Sequence, residues 1–160
     1  MKASALAGMP VLSINDGLRL GTVEELMVDP ALRRIAALAV GQAGQTRLVP
    51  FDQVKSIGED AITVESTQAA QDASAQEPLA QLPTLSSLLK LSVVDVGGTR
   101  RGALTEVEVD PSDGHIAEVM VHQGGILGVG GSTLTVPVSA VRSLGPQLVM
   151  IEVPPAPEAR

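Results

Sequence analysis

The chain carries one pattern twice. The stretch "GLRLGTVEELMVDPALRRIAALAVGQAG", beginning at Gly17, aligns without a gap on "GTRRGALTEVEVDPSDGHIAEVMVHQGG", beginning at Gly98, an offset of 81 residues. After six additional residues in the second copy, "VPFDQVKSIGEDAITVE" from Val49 falls on "VPVSAVRSLGPQLVMIE" from Val136. Identical pairs include Gly21/Gly102, Glu25/Glu106, Val28/Val109, Asp29/Asp110, Pro30/Pro111, Ile35/Ile116, Val40/Val121, Pro50/Pro137 and Gly58/Gly145. A repeat of this length is one structural unit, so the 160 residues divide into two small domains. The first is expected over residues 1–66 and the second over 89–153, with a linker at 67–88 and a flexible tail at 154–160.

Within a copy the hydrophobic period is that of strands. In "IAALAV" (35–40), alternation puts Ala36, Leu38 and Val40 on the inner face and Ile35, Ala37 and Ala39 on the outer one. In "IAEVMV" (116–121), Ala117, Val119 and Val121 take the inner face, and Ile116, Glu118 and Met120 the outer. The second copy is expected to form strands near 91–96, 103–109, 115–122, 133–138 and 148–153, with a short turn of helix near 139–142. Frequent Val and Ile, regular glycine and proline, and no long stretch of 3.6-residue period predict an all-β chain with minor α content: two small antiparallel β-barrels in tandem. Phe51 is the only aromatic residue, so each core is aliphatic.

The outer-face residues Ile35, Ala37, Ala39, Ile116 and Met120 are apolar where a lone barrel would meet water. The expectation is that the two barrels bury these faces against each other as a pseudo-twofold pair, or that a homodimer does so. The glycine-rich "GGILGVGGS" (124–132) places Ile126, Leu127 and Val129 at a hairpin tip, apolar side chains suited to the sister barrel or to an outside partner. In the linker, leucines 79, 82, 85, 88 and 89 suit a short helix or a packed strap interrupted by Pro83.

Gly21, the Asp29-Pro30 corner, Val49-Pro50-Phe51 and "SIGEDAITVE" together make the chain resemble the PRC-barrel family, over residues 8–66 and 89–153. That family is named for the cytoplasmic domain of the photosynthetic reaction-centre H subunit, and it also supplies the C-terminal domain of a ribosome-maturation factor. The second copy departs from the pattern at Val138, in place of the aromatic, and at Pro146-Gln147, in place of the acidic pair. The resemblance implies a small, strongly curved barrel that serves interaction or assembly rather than catalysis. Fold follows from it more directly than function does.

The residues that could carry chemistry read first as structure. Asp29-Pro30 and Asp110-Pro111 each end a strand at a turn, where aspartate accepts backbone N–H groups and proline presets φ. Gly114 then supplies a left-handed position that the first copy is expected to ask of Arg33. His115 and His122 are seven apart on one expected strand and face opposite ways, a poor geometry for one metal. There is no cysteine, no Gly-x-Ser-x-Gly elbow, and no lysine or following helix at the glycine-rich loop to make a phosphate site.

Net charge is −7 and both halves are acidic; only Arg33-Arg34 and Arg100-Arg101 cluster, so direct nucleic-acid binding is not expected. No apolar run has the length of a membrane span or signal peptide, and the chain reads as cytoplasmic. The expected function is a non-catalytic adaptor or assembly factor with protein partners and no cofactor or metal. The alternative is an accessory role in ribosome or RNA maturation, through a basic ribosomal protein.

Overall fold

The computed structural model describes residues 1–72, 77–126 and 129–152; the tail expected over 154–160 lies outside them. The first copy contributes β1 (Pro10–Ser13), β2 (Arg19–Val28), β3 (Ile35–Gln42), β4 (Gln45–Pro50), β5 (Val54–Ile57), β6 (Ile62–Val64) and β7 (Gln71–Asp72). They lie in the order β5-β6-β1-β2-β3-β4-β7. The second copy contributes β8 (Ser92–Asp95), β9 (Arg100–Val109), β10 (Ile116–Ile126), β11 (Val129–Pro137), β12 (Val141–Leu144) and β13 (Leu148–Ile151). Their order, β12-β13-β8-β9-β10-β11, repeats the first. Pairing is antiparallel except for one pair in each barrel, β1 with β6 and β8 with β13, where the sixth strand of the copy joins its first in parallel.

Register repeats as closely as order. Val11 faces Gly21 and Val93 faces Gly102. Both glycines have positive φ (+146° and +142°), and a Cβ on either would overlap the carbonyl oxygen of the next strand, at Gly41 or His122. Each barrel bends there because no side chain holds two backbones apart.

A second device decides which way side chains point. The pairs Ile35↔Val28 and Ala37↔Met27 leave Ala36 without an opposite number. Ala117 is passed over in the same way between Ile116↔Val109 and Glu118↔Glu108. One extra residue reverses the in–out alternation. Ile35 and Ile116 therefore point inward, 0% and 2% exposed, and join Leu38, Val40, Val119 and Val121 in the core. This corrects the strict two-residue period, which places both isoleucines on the outer face and Ala36 and Ala117 inside; Ala117 is exposed and Ala36 half-buried.

The barrels meet about a pseudo-twofold axis at the turns preceding β3 and β10. Arg34 and His115, equivalent positions, form an antiparallel bridge. The Ile35 N–H donates to the Gly114 carbonyl at 2.8 Å, and the Ile116 N–H donates to the Arg33 carbonyl at 2.9 Å. Reciprocal bonding of equivalent residues is the hallmark of an isologous contact, made here within one chain. Side chains complete it unequally. Gly114 makes room for the Phe51 ring, to which a Cβ would come within 2.8 Å. Across the axis the place of Phe51 is taken by Val138, and Arg33 fills the space, its guanidinium donating to the Val138 carbonyl and, at 3.2 Å, to that of Val141.

Each copy also lays its opening segment on the other barrel. The 3-10 turn Ala3–Leu6 runs along β9: the Val109 N–H donates to the Met1 carbonyl at 2.7 Å, and Ser4 donates to the Glu106 carboxylate through its amide (3.2 Å) and its hydroxyl. Two short helices, α1 (Glu77–Ala80) and α2 (Leu85–Leu88), lie in the segment between the barrels, and α2 runs along β2. There the Val28 N–H donates to the Pro83 carbonyl at 2.8 Å, and Ser86 donates to Glu25 through its amide (3.2 Å) and hydroxyl. Ala3, Leu6, Leu85 and Leu88 are buried, so the straps join two aliphatic cores into one continuous cluster.

Two measurements of stability by urea denaturation test this account. Gly102→Ala is expected to cost about 3 kcal/mol, from strain and overlap together, whereas Gly98→Ala costs about 1 kcal/mol; Gly98 has φ +92° but open space around it. Arg33→Met is expected to cost about 2 kcal/mol, because two carbonyls at the seam lose charge-assisted donors. Equal costs for the two glycine changes, or no cost at Arg33, would show that the bend and the seam are held by something else.

Candidate functional site

The outer faces are not where the barrels meet. Ala37 and Ala39 do sit outside, beside Met27 and Leu48, but Leu79 and Leu82 of the inter-barrel segment cover them. The expectation that sister barrels bury these faces against each other is thus corrected: the seam consists of turns and straps, and the first barrel's apolar face is roofed by the chain itself. The equivalent face of the second barrel is Glu108, Glu118, Met120 and Thr135. It needs no roof, because Glu108 is paired with the Met1 ammonium at 2.5 Å, Glu118 is exposed and only Met120, half-buried, is apolar. Ile126 and Val129 form the last pair of the β10–β11 hairpin; their side chains, and all of Leu127, lie outside the described residues.

The Asp-Pro corners are occupied by their own backbone. Asp29 accepts the N–H of Ala31 at 2.7 Å and of Arg33 at 2.9 Å, and Asp110 accepts the Ser112 N–H at 2.9 Å and hydroxyl at 2.7 Å. The Ser112 hydroxyl, then its amide, holds the Asp110 carboxyl below its ordinary range. A carboxylate saturated in this way is a poor proton acceptor. Pro30 and Pro111 follow at the first corner position. Gly114 is left-handed at φ +80°, but in the first copy the left-handed residue is Leu32 (φ +60°), not Arg33. Leu32 is completely buried, and the burial of its side chain offsets the strained backbone. His115 and His122 are exposed; His115 Nδ1 lies 2.9 Å from Asp113. Among the described residues no three His, Asp or Glu side chains converge to hold a metal, and no helix is long and apolar enough to cross a membrane.

Among the described residues, three of the four large exposed apolar side chains gather instead at the β1–β2 hairpin. Leu12 is 36% exposed, Ile14 51% and Leu18 57%. With Ser13, Gly17, Arg19 and Thr63 they line an open cleft of about 360 Å³. The hairpin is stiff beneath them. Ser13 is buried and its hydroxyl donates to Asp16 at 2.7 Å, while the Ile14 N–H donates to the Val64 carbonyl and the Asn15 N–H to that of Glu65, both at 2.8 Å. Three side chains fixed in water around one concavity form a surface ready to bury itself against another molecule. At the equivalent corner of the second barrel stand Val94, Asp95, Val96 and Thr99, and of these Val96 is 53% exposed. Only the first barrel presents the full cluster. "LSINDGL" could have disclosed it: Leu12 and Ile14 alternate up to the Asn-Asp-Gly turn, and Leu18 follows immediately, more apolar weight than a solvated turn needs.

Comparison with known proteins points to one family. The PRC-barrel domain model matches residues 1–71 and again 84–156. No curated protein matches the chain in sequence. Among solved structures, a putative 16S ribosomal RNA processing protein, RimM, from Pseudomonas aeruginosa aligns over 93% of this chain and 96% of its own at 13% identity and a TM-score of 0.34. At that distance the alignment bears on neither chain's function.

The second barrel's corner makes a prediction about acid. Asp95 accepts the N–H groups of Thr99 (3.0 Å) and Gly97 (2.9 Å) and pairs with Arg101 at 3.0 Å. The Thr99 bond first, then Arg101, lowers its pKa from the ordinary 3.8, against a smaller opposing effect of burial. A carboxyl depressed by folding stabilises the protein above its unfolded pKa, and that contribution disappears as pH falls through the folded value. Urea titrations below about pH 4 should therefore show a shallower loss of stability in Asp95→Asn than in the parent; parallel curves would mean the corner is indifferent to its charge.

Proposed function

Because the chain belongs to the PRC-barrel family and holds two such barrels as one body, we propose that it is a non-catalytic adaptor that binds a protein partner through the Leu12–Ile14–Leu18 surface. The observation that supports this reading is the exposure of those three side chains, between 36% and 57%, around a cleft whose backbone is fixed by hydrogen bonds. Burying apolar surface of this kind contributes about 25 cal/mol per Å², and a few such anchors dominate the affinity of a typical interface. A cytoplasmic setting goes with this reading. The charge of −7 favours a basic partner, and a ribosomal protein would meet that description.

The deciding experiment is affinity capture from the native cell at moderate salt, read by mass spectrometry, with the parent and with Leu12→Ser/Ile14→Asp/Leu18→Ser as baits. The parent should hold a reproducible partner that the variant loses by about tenfold or more, since each anchor is worth on the order of 1–2 kcal/mol. The replaced side chains are exposed, so circular dichroism of the two baits should coincide. A folded parent that captures nothing, or two baits that capture the same set equally, would rule the surface out. Co-sedimentation of the captured complex with ribosomal subunits separates a ribosomal partner from a free one.

A further inference from the structure

The first barrel has a second concavity, unlike the apolar cleft in character. It measures about 750 Å³, within the usual size range of small-molecule sites, and opens beside the seam. Its walls are Arg34 and Ala36 from the start of β3, Pro50, Asp52 and Gln53 from the turn after β4, Ser66 and Gln68 from the turn before β7, and Leu79 from above. Arg34 also borders a smaller recess with Asp52, Asp113 and His115 across the axis.

Arg34 is the anomaly. Its Nε is buried and has no hydrogen-bond partner. Neither its guanidinium nor the Asp52 carboxylate makes any hydrogen bond or ion pair among the described residues, although both border the same space. Buried N–H groups without acceptors are rare, and a guanidinium fork is shaped to receive a carboxylate with two parallel bonds. The neighbouring Arg33 shows what an arginine here does when its role is structural: it turns to the backbone carbonyls of the other barrel.

The copies differ at the positions that matter. Where the lining only shapes the chain, they agree: Ala36 and Pro50 match Ala117 and Pro137. Where it carries polar chemistry, they part: Arg34, Asp52 and Gln53 are replaced by His115, Ser139 and Ala140 at the equivalent positions of the second copy. The framework is common to both barrels and the charged groups belong to one.

We propose that this cavity binds a free α-amino acid. Arg34 takes the carboxylate through the terminal Nη groups of its guanidinium, Asp52 takes the ammonium group, and Gln53, Gln68 and the Ser66 hydroxyl face the remainder of the ligand. One cation and one anion facing a common space match a zwitterion with no net charge. A phosphate would bring two negative charges to a site that already holds Asp52. Neither the partner surface at the β1–β2 hairpin nor the adaptor reading is needed for this.

The test follows the Arg34 Nε–H resonance in ¹H–¹⁵N spectra of the full chain, titrated in turn with L-serine, acetate, ethanolamine and inorganic phosphate. L-serine should move that resonance saturably, and acetate and ethanolamine, each offering half the zwitterion, should bind about tenfold more weakly or worse. Arg34→Gln, followed through the backbone amides of Asp52 and Gln53, should abolish saturation by serine, and Asp52→Asn should weaken serine while leaving acetate unchanged. Both side chains lie outside the hydrogen-bond network, so the thermal midpoint of each variant should stay with the parent's. No saturable shift with serine, tighter binding of phosphate than of serine, or serine binding that survives Arg34→Gln would each overturn the assignment.

Discussion

Everything in this molecule hangs on a backbone bridge between two equivalent residues. Arg34 and His115 lie on the pseudo-twofold axis, flanked by the reciprocal bonds from Ile35 to Gly114 and from Ile116 to Arg33. These bonds sit at the mouths of both cores, and each is donated by a buried isoleucine. Small barrels of some 60–70 residues bury too little surface to be secure alone. Merging their cores at the axis, and exchanging the straps that cover them, gives each the interior of a larger domain.

The exchange of straps explains how divergence in one place has been matched in another. Met1 to Leu6 belongs to the first copy by sequence and to the second barrel by contact, with Ser4 on Glu106; Pro83 to Leu89 is placed the other way, with Ser86 on Glu25. Both ends of this arrangement use the same residue types, so it reads as an old symmetry kept. The axis itself reads differently. Phe51 against Gly114, and Val138 against Arg33, are two solutions to filling one kind of space. Exchanging their members would put Arg33 against Phe51 in one pairing and leave a void between Gly114 and Val138 in the other. Close packing penalises both, the first by overlap and the second by lost contacts. Each half is thereby specified for the other rather than for a second copy of itself.

Much of the fold was legible in the chain because its signals are local or repeated. The offset of 81 residues disclosed two domains, and alternation and turn chemistry disclosed strands. What the chain does not disclose turns on non-local pairing and cover. Whether Ile35 points in or out depends on a single unpaired residue, Ala36, and alanine in a strand gives no sign that it is passed over by its neighbour strand. That one residue sets the parity of the strand, hence which side chains form the outer face and which surface is left for the barrels to meet by. The roof over Ala37 and Ala39 could be glimpsed only as leucine spacing at 79 and 82, since what a strap covers is a property of the whole fold. The hairpin surface has a weak signature because Asn15-Asp16-Gly17 reads as an ordinary solvated turn, and nothing local tells that Leu12, Ile14 and Leu18 beside it stay in water.

Duplication within one chain has a consequence that a homodimer could not supply. In a true twofold pair any change appears on both sides, so a new surface arises twice and a charge placed near the axis meets its own image. Here Arg34 faces His115 across the axis instead of a second arginine, so the two sides of the axis carry different side-chain chemistry. The apolar hairpin likewise occurs once in full: at its counterpart Val94 is half-buried and Thr99 stands in place of Leu18. A surface present once on the chain, unlike a pair related by symmetry, does not by itself link molecules into open-ended assemblies. What the copies share is the strand framework and the straps, and the positions where they differ, at the axis and on the hairpins, are free to acquire separate tasks.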